Sequence, residues 1–72
     1  MIEDVPIRGQ MIRLGQLLKL AGVIDSGSGA KDLVSSGQLT VNGEVETRRG
    51  RQLHDGDVVA VGDQQLQVVT RK

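Results

Sequence analysis

Asn42-Gly43, set between Leu39-Thr40-Val41 and Glu44-Val45-Glu46, is the feature that most narrows what this chain can fold into. Asn and Gly are the residues that most readily take the left-handed backbone of a two-residue turn, and such a turn joins neighbouring antiparallel strands. Leu39 and Val41 then face a core, while Gln38, Thr40 and Asn42 face away from it. Beyond the turn the alternation is expected to continue with Val45 inward and Glu44 and Glu46 outward. Downstream, Asp55-Gly56-Asp57 predicts a turn, Val58 to Val61 a strand, Gly62-Asp63 a second turn, and Gln64 to Val69 a last strand with Leu66 and Val68 on one side.

Two short helices precede this sheet. Leu14, Leu17, Leu18 and Ala21 repeat at i, i+3, i+4 and i+7, one apolar stripe, with Gln16 and Lys19 off it. Gly22 stands where a left-handed C-terminal cap is expected. Val23 and Ile24 read as a buried link, and Asp25, Ser26 and Ser28 are each able to cap the next helix. Ala30, Leu33 and Val34 repeat the stripe until Gly37. Ile2, Val5 and Ile7, around the single proline, either form a short edge strand or lie against the core. The expected architecture is α+β: two short N-terminal helices packed on a small twisted, mostly antiparallel sheet of about four or five strands. At 72 residues the chain reads as one domain, 1–72.

The chain has no Phe, Tyr or Trp, so its core is built from Leu, Val, Ile and Ala, and binding of single strands by stacking bases on aromatic rings is excluded as the main mechanism. Nine basic residues balance nine acidic ones, so function depends on where the charges sit. Cys is absent and His54 is alone, so no cofactor or metal is expected. No apolar run is long enough to span a membrane, and the first ten residues lack the basic and apolar regions of a signal peptide; a cytoplasmic protein is expected.

Cations concentrate in two places. At the start of the second helix, free amides and the helix dipole favour an anion, Gly27 and Gly29 allow close approach to the backbone, and Lys31 lies in the first turn. Arg48, Arg49 and Arg51 fall within four residues, in a segment that Gly50 marks as a loop. Three guanidiniums there repel one another unless a counter-ion is present, and their planar forks suit phosphate. The alternative for the loop is a solvated segment partly neutralised by Glu44 and Glu46. Gly-Ser-Gly-Ala-Lys superficially resembles a nucleotide-binding P-loop, but Ala30 separates Gly29 from Lys31, Asp32 follows, and a helix precedes it; that reading is rejected.

The chain resembles the S-four RNA-binding domain, the αL motif named after protein four of the small ribosomal subunit. The resemblance rests on Arg13-Leu14, Gly22, Ser26 to Ser28, Ala30-Lys31, Gly37, Leu39-Thr40-Val41-Asn42-Gly43 and Gly56-Asp57-Val58, in order and without gaps over a core motif at 12–61. Glu46 to Arg49, with Ser-Gly-x-x-Ala-Lys at the second helix, resembles the branch of small stand-alone bacterial members. The resemblance implies a non-catalytic binder of structured RNA, ribosomal or transfer; separately, a monomer is expected. It implicates Arg13, Ser26, Ser28 and Lys31, with Arg48, Arg49 and Arg51 as the branch's own basic patch. Many members carry Arg where this chain has Gly27 and Asp where it has Gly15. A ubiquitin-like sulfur carrier is disfavoured, because Thr70-Arg71-Lys72 stands in place of a reactive Gly-Gly and helices precede the strands. A protein–protein adaptor with an acidic partner is the other alternative.

Overall fold

The computed structural model describes residues 2–24 and 27–70. In chain order the elements are β1 (Ile2–Ile7), β2 (Ile12–Arg13), α1 (Leu14–Leu20), α2 (Gly27–Ser35), β3 (Leu39–Val41), β4 (Glu44–Val45), β5 (Gln52–Leu53), β6 (Val58–Val61) and β7 (Gln64–Thr70). One sheet has five strands in the order β1-β7-β6-β3-β4, and a second is the short pair β2-β5. Every pairing is antiparallel except that of β1 with β7. The α+β architecture expected from the sequence is the one observed, with the β2-β5 pair as an addition.

The turn at Asn42-Gly43 has φ of 53° and 88°, so both central residues are left-handed, as a type I′ hairpin requires. Asn42 also ties the hairpin to its neighbour. Its backbone N–H donates to the Val58 carbonyl at 2.7 Å, its amide oxygen accepts from the Val58 N–H at 2.9 Å, and its Nδ2 donates to Asp57 at 3.1 Å. Helix α1 ends in a full left-handed cap: Gly22 has φ of 77°, its N–H donates to Lys19, and the Val23 N–H donates back to Leu18.

The core lies between one face of the five-stranded sheet and the helix pair. Val5, Ile7, Leu39, Val41, Val59, Leu66 and Val68 come from the sheet, Leu14, Leu17 and Leu18 from α1, Ala30 and Val34 from α2, and Leu53 from β5. Each is at most 4% exposed. Val23 and Ile24 are only half-buried, packed at its margin. Of the two options for the first residues, the chain takes the strand, burying Val5 and Ile7; the outer position of β1 tolerates Pro6, which has no N–H for a ladder.

One expectation is overturned. Val45 is 63% exposed and Glu46 only 6% exposed, the reverse of the predicted facing. The register explains it. A two-residue turn places Val41 opposite Glu44 and Thr40 opposite Val45, and directly opposed residues share a face. Val45 therefore shares the outer face of Thr40. Glu46, whose N–H donates to the Leu39 carbonyl at 3.1 Å, falls on the inner side with Leu39.

Replacing Asn42 separates its two contributions. Asn42→Gly keeps the left-handed backbone but loses the side-chain bonds and should cost about 1 kcal/mol, whereas Asn42→Ala loses both and should cost about 2 kcal/mol. Urea denaturation of the two variants measures the difference; equal losses would contradict the backbone contribution.

Candidate nucleic-acid interface

The arginine segment is organised by a carboxylate the sequence placed on the wrong side. Glu46 Oε2 accepts from the backbone N–H groups of Thr47 and Arg48 at 3.0 and 3.1 Å and from Arg48 Nε at 3.3 Å. Its Oε1 accepts from Arg51 Nη1 at 3.0 Å and from Arg48 Nη2 at 3.5 Å. Donation from the Arg48 side chain and then from Arg51 holds the Glu46 carboxyl down to about 2. Glu46, buried, is thus the counter-ion of two of the three neighbouring guanidiniums, Arg48 and Arg51, while Glu44 is exposed and takes part in no ion pair among the described residues.

The loop so fixed lies across the start of α1. The Arg51 and Arg49 carbonyls accept from the Leu14 and Gly15 N–H groups, both at 2.9 Å. These amides have no partner within the helix. Arg13 Nη1 reaches the Gly50 carbonyl at 3.4 Å, and Gln16 Oε1 accepts from the Arg13 N–H at 3.2 Å. Strands β2 and β5, pairing Ile12 with Leu53 and Arg13 with Gln52, close the loop's exit onto the same helix. The loop packs closely on Gly15: a Cβ there would meet the Arg49 carbonyl at 3.6 Å and Ala30 Cβ at 3.8 Å, ordinary van der Waals contacts.

The cationic side chains consequently divide between the loop's two sides. On one, Arg13, Gly15, Gln16, Lys19, Ala30, Arg49 and Gly50 line an open cleft of about 250 Å³. On the other, Arg48, Gly50, Arg51, Gln52 and His54 border a broader depression of about 590 Å³. Arg48 keeps 78% of its side chain exposed and Arg51 keeps 32%, despite their pairing with Glu46. Arg13, Lys19, Lys31 and Arg49 are exposed, and no carboxylate pairs with them among the described residues. Lys31 follows Ala30 on α2 but does not itself line the cleft. Ser26 lies outside the described residues; Ser28 is in the first turn of α2, and its side chain also lies outside them.

Sequence reasoning named Glu46 only as a partial neutraliser on the outer face, and passed over Lys19 as a site residue. Lys19 stands three residues after Gln16 and four after Gly15, the spacing that puts them on one helix face. Counting strand parity through the two-residue turn would have turned Glu46 inward. His54 is exposed, and its N–H donates to Asp57 at 2.7 Å. That bond and the Asn42 amide outweigh the effect of burial and hold the Asp57 carboxyl below the ordinary range.

Two helices on a small sheet, with a basic loop seated on the first helix and beside the second, define an α+β module of the αL type. Residues 5–69 match the S4 domain, and the chain belongs to that family. It is 49% identical over 61 residues to a Bacillus subtilis protein named as the probable ribosome maturation protein RlbA, covering 85% of this chain and 86% of that one. It is 40% identical over 58 residues to YbcJ of Escherichia coli, covering 81% and 83%; YbcJ is designated a candidate RNA-binding protein. The solution structure of YbcJ, described as revealing an αL motif involved in RNA binding, superposes with a TM-score of 0.65 at 34% identity over 94% of this chain and 85% of that one.

Because the Glu46 carboxyl is depressed in the folded state, its stabilising effect is complete above about pH 4.5 and is lost as pH falls towards about 2. Melting temperatures followed over that range should fall more steeply for the wild type than for Glu46→Gln, which should also melt lower at pH 7. Parallel profiles would contradict the assignment.

Proposed function

We propose that this chain is a non-catalytic module that binds structured RNA, acting as a cytoplasmic monomer. Its RNA-facing residues are Arg13, Ser26, Ser28, Lys31, Arg48, Arg49 and Arg51. The observation that carries the reading is the arginine loop: its backbone and one buried carboxylate fix its path, with Arg49 exposed and unpaired among the described residues, Arg48 still largely exposed and Arg51 partly so. Pre-fixed cations lose less freedom on binding a phosphate than cations on a mobile loop would. A chain without aromatic rings relies on phosphate, sugar and shape contacts, which suit folded RNA better than extended single strands. The name of the Bacillus subtilis relative makes ribosomal RNA the first class to test, with transfer RNA second.

The test uses Lys31→Glu and Arg49→Glu together, because neither side chain takes part in the Glu46 lock. Filter binding to a ribosomal RNA hairpin should weaken about tenfold or more, and the slope of log affinity against log salt should flatten by about one to two. Circular dichroism should be unchanged. Wild-type affinity in this double variant would refute the site.

A further inference from the structure

The cleft at Gly15 differs from a plain basic surface. Its floor is small and apolar, Gly15 on α1 and Ala30 on α2, and cations stand around it: Arg13 and Lys19 from the helix side, Arg49 from the loop. The first two α1 amides, those of Leu14 and Gly15, are already taken by loop carbonyls, so they do not hold an anion. What it offers is an apolar recess of about 250 Å³ within reach of guanidinium planes. Unpaired bases splayed from folded RNA stack on such planes when aromatic rings are absent, and a paired base, held in its helix, does not reach a recessed floor. Gln16 adds a polar edge: its Oε1 is occupied by the Arg13 N–H, which leaves its amide nitrogen to donate to a base acceptor.

We propose that the cleft between Gly15, Ala30 and Arg49 takes one unpaired nucleotide of an RNA. The base enters over Gly15 and Ala30 and stacks against the Arg13 or Arg49 guanidinium, and Lys19 meets the adjoining phosphate. This rests on the RNA-binding reading and adds to it: the ligand is a helix interrupted by a bulge or loop, and the missing side chain at position 15 makes the room.

Gly15→Leu fills the recess. The contacts awaiting a Cβ at Gly15 are ordinary ones, 3.6 to 3.8 Å, and its φ lies outside the left-handed region, so the backbone accepts a Cβ; circular dichroism of Gly15→Leu should match the wild type, and Gly15→Ala serves if it does not. Fluorescence anisotropy would compare two hairpins of identical stem sequence, one fully paired and one with a single bulged nucleotide, each of the four bases in turn. The wild type should bind at least one bulged hairpin about tenfold more tightly than the paired one. Gly15→Leu should bring that hairpin to the paired level while leaving paired affinity within about twofold. Gly15→Ala, which leaves most of the recess, should keep part of the preference. Equal wild-type affinity for paired and all bulged hairpins would overturn the cleft assignment while RNA binding stands, and so would a full bulge preference in Gly15→Leu. Binding of neither hairpin class would remove both readings.

Discussion

The structure around the basic face depends on one carboxylate. Burying Glu46 removes water from a charge, and the fold compensates with two backbone N–H groups and the side chains of Arg48 and Arg51. Those bonds set the path of the chain from Glu46 to Arg51. The path in turn presents the Arg49 and Arg51 carbonyls to the first amides of α1, and α1 carries Leu14, Leu17 and Leu18 into the core. A polar network at the surface is thereby continuous with the hydrophobic packing beneath it. The same arrangement leaves an apolar recess beside the loop, because Gly15 carries no side chain to fill it.

The balance of charge takes on a different meaning in this light. Equal numbers of acids and bases would ordinarily argue against a nucleic-acid surface. Here Glu46 is consumed inside the loop, and Glu3, Asp4, Glu44 and Asp63 belong to β1, β4 and the β6–β7 turn. Asp57 is near Arg51 and His54, but Arg13, Lys19 and Arg49 pair with no carboxylate among the described residues. The local field at the loop is positive although the molecule is neutral. Such a distribution limits attraction to any polyanion at long range and gives weight to the geometry of contact. It fits a module that selects a folded shape.

Much of this was legible in the residues. The Leu14-Leu17-Leu18 and Ala30-Leu33-Val34 stripes, the glycine stops and the Asn42-Gly43 turn are local signals, and each produced its element. The parallel pairing of β1 with β7 joins the two ends of the domain and leaves no local trace beyond the alternation of Val5 and Ile7. The two-residue bridge of β2 and β5 is too short to show a period. The arginine loop stood out by composition. Its internal division, Arg49 towards the helices and Arg48 with Arg51 over Glu46, depended on the facing of Glu46, where the alternation was carried through the turn one residue out of phase.

The most direct test of the claim that RNA meets the loop and the start of the helices is a titration of ¹⁵N-labelled protein with a bulged ribosomal RNA hairpin, followed amide by amide. The account predicts the largest shifts at Gly15, Lys31, Arg49 and Gly50, with Ile2, Gly62 and Gln65 on the far strands and turn unmoved. Shifts centred on Ile2 and Gln65, with Gly15 and Gly50 unmoved, would contradict it.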